Sequence, residues 1–137
     1  MPTEKEKMIA GDLYLASDPQ LLKERRNAKR LLRALNITEY LTTKTSKLIL
    51  KELIPNAGKN LYIEPPFHCD YGYNIYCGDH VYFNVNCVVL DTMPIKIGSK
   101  TISLLSKFVC DKVCLYSILT LALGKILPKA SFLPTVI

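Results

Sequence analysis

The chain has 137 residues, 18 Lys and Arg against 12 Asp and Glu, and a formal charge of +6. One domain of that size buries a real core, and 49% hydrophobic residues with only six glycines and eight prolines exclude a disordered, collagenous or low-complexity chain. Five cysteines, an odd number with no CxxC pair, argue against a secreted disulfide scaffold and against a structural zinc site. The opening MPTEKEKMIAGDLY has no apolar core of signal-peptide type, so reduced thiols in the cytoplasm are expected.

Charge and periodicity both change near residues 60 and 100, which divides the chain into 1–60, 61–100 and 101–137. The first segment holds 12 of the basic residues and reads as helical. A short helix is expected around Lys5–Ala10, ending at Gly11. Asp18 followed by Pro19 is an N-cap and first-turn signal, because the carboxylate accepts orphan N–H groups and proline lacks the donor that would go unpaired. From there Leu21, Ala28, Leu31, Leu32 and Leu35 fall on one stripe, while Lys23, Arg25, Arg26, Lys29, Arg30 and Arg33 cover the rest. A third helix, about Ser46–Ile54, buries Leu48, Leu50, Leu53 and Ile54 and stops at Pro55-Asn56-Ala57-Gly58. The basic helix reads as a solvated face: its arginines have no interleaved aromatics to stack on bases, which argues against nucleic acid.

The second segment loses helical spacing and fills with Tyr, Ile, Val, Cys, Asn and Gly. Ile75-Tyr76-Cys77-Gly78-Asp79-His80 and Ile95-Lys96-Ile97-Gly98-Ser99-Lys100 share one pattern, offset by twenty residues. A triangular coil gives this pattern a cause: one aliphatic side chain points inward from each face, and glycine with a small polar residue turns the corner. Val81, six residues after Ile75, fits the same count. Three faces take about eighteen residues, so twenty is one coil with a two-residue bulge, placed at Asp91-Thr92-Met93-Pro94, where proline cannot donate to a ladder.

Four blocks resemble the maltose and galactoside O-acetyltransferases of the hexapeptide-repeat superfamily and their nodulation relatives. They are Thr3 to Tyr14, Glu64-Pro65-Pro66-Phe67, Cys69-Asp70-Tyr71-Gly72-Tyr73-Asn74-Ile75, and Asn84-Val85-Asn86-Cys87-Val88-Val89-Leu90-Asp91. The resemblance implies an α+β protein: a helical cap (1–60), the first coils of a left-handed parallel β-helix (61–100) and an irregular or helical apolar tail (101–137). It implies a homotrimer with sites between subunits, acetyl-CoA as co-substrate, and acetyl transfer to a hydroxyl of a small sugar. Carried over by position, Asp70, Asn84 and Asp91, or Thr92 beside it, hold the acceptor. A carboxylate and an amide suit a polyol, since one accepts from hydroxyls and the other both accepts and donates. On the bland reading, Asp70 caps a turn beside Gly72 and Asn84 and Asn86 fill corners. Tyr71, Tyr73, Tyr76 and Tyr82 could stack on a sugar, though tyrosine on a strand more often packs.

The family's next coil supplies a Thr-His-Pro segment whose imidazole removes the hydroxyl proton. Here the histidines are His68 and His80, neither at that place, so no catalytic residue is assigned. Thr101–Ile137 shows no hexad spacing, although Val113-Cys114-Leu115-Tyr116-Ser117 resembles the strand before Thr-His-Pro. A changed reading frame or misassigned splice is the expected cause of the departure. Val113–Pro128 is apolar but shorter than the roughly twenty residues a bilayer span requires. The alternative to an enzyme by descent is an inactive remnant that binds a partner or intact subunits.

Overall fold

The computed structural model describes residues 1–38, 43–103, 107–109 and 114–115. The expected helices are there: α1 (Glu4–Ala10), α2 (Pro19–Asn36) and α3 (Lys44–Leu53). Thr3 and Glu6 form a reciprocal capping box on α1, and Gly11 ends it at φ 81°. Asp18 caps α2 by accepting from the backbone N–H groups of Gln20 at 2.9 Å and Leu21 at 3.2 Å. All five residues of the expected α2 stripe are buried. On α3 the stripe is Ser46, Leu50 and Leu53, and Leu48 is 69% exposed. Its place two residues from both Ser46 and Leu50 turns it to the opposite face, which corrects its assignment to the core.

Among the described residues nine short strands follow: β1 (Tyr62–Ile63), β2 (Phe67–Cys69), β3 (Ile75–Cys77), β4 (Tyr82–Phe83), β5 (Cys87–Leu90), β6 (Ile95–Ile97), β7 (Ile102–Ser103), β8 (Lys107–Val109) and β9 (Cys114–Leu115). Each of the first six pairs in parallel with the strand three further on, giving sheets β1-β4-β7, β2-β5-β8 and β3-β6-β9. A chain paired this way passes along three walls and returns one layer up, which is the triangular coil expected from the repeat. The register Ile75↔Ile95, Tyr76↔Lys96, Cys77↔Ile97 is the twenty-residue offset itself. Alternate residues point inward, so Ile63, Phe67, Phe83 and Val89 are fully buried. Burial pushes the Cys77 thiol up to about 12 and that of Cys69 higher still, so both are protonated core groups.

The coil runs further than the sequence pattern implied. Strands β7, β8 and β9 lie in the segment expected to leave it, yet they pair with β4, β5 and β6. The spacing tightens, because Lys96 pairs with Cys114 eighteen residues on. Hexad spacing fails as a signal there because strand pairing is a backbone property that tolerates irregular side chains. The remainder of the apolar stretch Val113–Pro128 lies outside the described residues.

The helical cap closes the lower edge of the coil. The Asn36 side chain pairs with both backbone groups of Phe67, donating to its carbonyl and accepting from its N–H, each at 2.9 Å. Under β3, the Cys77 N–H donates to the Asn56 carbonyl at 3.1 Å and the Gly58 N–H donates to the Cys77 carbonyl at 2.8 Å. Gly72 sits where the first coil meets the end of α3, at φ 85°, and a Cβ there would run into the Leu53 carbonyl oxygen. We therefore expect Gly72→Ala to cost about 3 kcal/mol or more in urea unfolding. By contrast His80→Gly, at an exposed corner with φ 58°, should be neutral or stabilising by up to about 1 kcal/mol.

Candidate functional site

The corner after β2, residues 70–74, carries Asp70 and packs against the helical cap. The corner after β5, residues 91–94, lies one layer above it. Asn74 ties the two layers together, donating its amide to the carbonyl oxygens of Asp91 at 2.8 Å and Thr92 at 3.3 Å. Asp91 is 0% exposed. Its carboxylate accepts from the N–H groups of Asp70 and Tyr71 at 2.9 Å and of Gly72 at 2.6 Å. Burial pushes this carboxyl up to about 6, with those amides pulling the other way, so at neutral pH it is ionised and accepts all three bonds.

The expected acceptor set therefore divides. Asp70 and Thr92 share one vertical edge of the coil, both half-buried. Asp91 is enclosed and braces the corner that carries Asp70. Asn84 stands elsewhere: it precedes β5, whose register with β2 is Phe67↔Cys87, while Asp70 follows β2. The β2-β5 wall lies between them, so one chain does not bring Asp70 and Asn84 together. The Asn84 side chain accepts from the N–H of Val85 at 2.8 Å, and Asn86 turns a corner at φ 61°.

Arg25 and Lys29 are the neighbours of Asp70 that the sequence reading left on a solvated face. Burial raises the Asp70 carboxyl, and the two cations draw it back down. Arg25 is held in place by donating to the Tyr71 hydroxyl at 2.9 Å and to the Ala16 carbonyl at 2.6 Å. The signal was present in the spacing, since Arg25, Lys29 and Arg33 recur every four residues and share one face of α2. Tyr71 is buried, and Tyr73 donates to Glu24 at 2.7 Å with the Lys5 ammonium 4.2 Å from its ring centre, so both pack. Tyr76 is 41% exposed, and Tyr82 stacks on Tyr62 with ring centres 5.2 Å apart. His68 is exposed on β2, and His80 is exposed at its corner beside Asn60.

A three-walled parallel coil under a helical cap, with polar residues on two of its edges, is the class of the hexapeptide-repeat acetyltransferases. Residues 7–58 match the maltose acetyltransferase hexapeptide capping motif. Nodulation protein L of Rhizobium meliloti is 42% identical over 99 residues, 72% of this chain and 54% of that protein. A solved maltose O-acetyltransferase of Clostridium difficile superposes with a TM-score of 0.70 at 40% identity, over 74% of this chain and 54% of the other. A hexapeptide-repeat acetyltransferase of Vibrio cholerae, solved with acetyl coenzyme A, gives a TM-score of 0.66 at 32% identity over 74% of this chain and 54% of its own. The chain belongs to the maltose and galactoside O-acetyltransferase family. It spans about half the length of the curated relatives it matches.

If Asp91 is the keystone of the Asp70 corner, Asp91→Asn sets an amide NH2 among three N–H donors and leaves one unpaired. The expected cost is about 2 kcal/mol in chemical unfolding. Hydrogen exchange should rise at Asp70, Tyr71 and Gly72 first; uniform loosening of the whole coil would count against a local role.

Proposed function

We propose that this chain is the acceptor-binding half of a sugar O-acetyltransferase, serving transfer of acetyl from acetyl-CoA to a hydroxyl of maltose, a galactoside or a similar sugar. The observation behind this reading is the pairing of a half-buried carboxylate with a hydroxyl, Asp70 and Thr92, on one edge of the coil, with Asn84 on another. Asp70 accepts from sugar hydroxyls while Arg25 and Lys29 balance its charge. Asn84 supplies both donor and acceptor.

On this reading the coil is left-handed, an exception to the right-handed crossover rule, and the working unit is a homotrimer in the cytoplasm. The separation of Asp70 from Asn84 supports it: a ring of three copies sets the Asp70 edge of one chain beside the Asn84 edge of the next. That arrangement turns the β2-β5 wall toward the shared axis, where exposed Leu90 and half-buried Val88 would be covered. Among the described residues, no helix is long and apolar enough to cross a membrane.

The chain's two histidines, His68 and His80, do not stand where the resemblance puts the base, and its match covers only about half the length of its relatives. What the chain's own residues do is bind and orient the acceptor. The purified chain should therefore bind maltose or a galactoside in NMR titrations and elute as a trimer. Asp70→Asn and Asn84→Ala should each weaken binding about tenfold, the loss of one charge-assisted or strong hydrogen bond. Acetyl transfer, read by the mass gain of one acetyl group, should run at least about a hundredfold below that of a full-length relative for want of a base. A monomer whose sugar binding ignores Asn84→Ala would sink the shared site, and undiminished turnover would sink the missing base.

A further inference from the structure

A groove of about 490 Å³ opens between α1, α2 and the end of α3, beside the corner that carries Tyr71 and Tyr73. That volume lies within the roughly 300–1,000 Å³ usual for small-ligand sites. Lys5, Gln20, Lys23, Glu24, Asn27 and Glu52 give it polar side chains, and the rest of its lining is leucine and tyrosine. Gln20, Glu24, Asn27 and Leu31 follow the spacing of one face of α2. Lys29, Arg33 and Asn36 lie on the opposite face, beside His68 on the outer side of β2. The wall that the trimer reading turns toward the shared axis is therefore across the helix, and covering it leaves the groove open.

The polar groups of the groove orient one another. Glu24 is the hub, accepting from Lys5 at 2.9 Å, Gln20 at 3.0 Å and the Tyr73 hydroxyl at 2.7 Å. The Lys5 ammonium also lies 4.2 Å from the centre of the Tyr73 ring, so that ring is held at both its hydroxyl and its face. Each exposed amide has one end engaged. Gln20 donates to Glu24, and the Asn27 oxygen accepts twice from Arg30, at 3.2 and 2.9 Å. Glu52 likewise engages Oε1 with Arg30 at 3.0 Å. Among the described residues, the Gln20 oxygen, the Asn27 NH2 and the second Glu52 oxygen have no partner, and Lys23 forms no ion pair.

We propose that this groove is an accessory site for a short neutral oligosaccharide, held by Gln20, Lys23, Asn27 and Glu52, with Tyr73 and Leu31 against the carbon faces of its rings. A sugar hydroxyl both donates and accepts, so it is best met by donors and acceptors side by side. The open groups supply both: Lys23 and Asn27 donate, and Gln20 and Glu52 accept. Sugar rings also present C–H faces, which tyrosine and leucine match. Two lysines and two glutamates leave the lining without net charge, so nothing there concentrates an anion or a cation. None of the lining residues is one assigned to the acetyl acceptor, and the site does not rest on that reading.

The test is an NMR titration of the full chain with maltotriose and, separately, with inorganic phosphate. Maltotriose should shift the amides of residues 20–31 and of Glu52. Gln20→Ala and Asn27→Ala, both at exposed positions, should each weaken that binding about fivefold, as expected for the loss of one neutral hydrogen bond. Arg26→Gln, exposed on α2 but outside the groove, should change nothing, and phosphate should leave the groove unshifted. Maltotriose shifts confined to Asp70 and Thr92 would overturn the accessory site and leave the acceptor reading standing; groove shifts without those two would do the reverse, and no shift anywhere would overturn both. Groove shifts that ignore both alanine variants, or that phosphate reproduces, would also overturn the oligosaccharide site.

Discussion

A parallel coil has no hairpin with which to close its first turn, so the lowest strand of each wall presents backbone donors and acceptors that something else must satisfy. Here α2 and the turn after α3 do that. The Asn36 amide reproduces one strand's worth of pairing on Phe67 with a side chain, and Asn56 with Gly58 does the same for Cys77 through the backbone. The helical cap is thus the template that fixes where the first coil begins. Because the same helix carries Arg25, Lys29 and Arg33, the closure also sets the height at which those cations meet the coil's edge and outer wall.

The two aspartates at the capped edge show how position divides one chemistry into two roles. Asp91 is enclosed and surrounded by three amide donors, which makes it an internal brace. Asp70 is half-buried, with cations near it rather than amides on it, so its oxygen atoms remain able to accept from a ligand. The brace in the upper layer holds the corner that aims the group in the lower layer. A sequence block that matches a family at both aspartates conceals this difference, since residue type alone does not say which way a corner side chain turns.

The helices were legible because their signals are local: Asp18-Pro19, the capping box at Thr3 and Glu6, and a leucine stripe of helical period all act within a few residues. The coil was legible through its repeat, as the pairing of Ile75 with Ile95 shows. Leu48 was misplaced because an apolar residue on a short helix was counted without checking its angle. Strands β7 to β9 were missed because the repeat there loses its glycine corners while the backbone continues to pair. The separation of Asp70 from Asn84 could not be read from spacing at all. It depends on which wall lies between them, and only the strand register reveals that.

The basic stripe of α2 shows why composition by itself decides little about function. Counted along the chain, its cations look like a solvated helix face, and for Arg30, which bonds Asn27 and Glu52 at the surface, that reading stands. Arg25 differs because the coil brings Tyr71 to it while the loop before α2 supplies the Ala16 carbonyl, and Lys29 because the coil brings Asp70 near. Neither Tyr71 nor Asp70 lies within helical reach in sequence. A charge acquires a task when a remote element supplies the second wall of a site, so the functional content of this helix lies in the contact between cap and coil rather than in either alone.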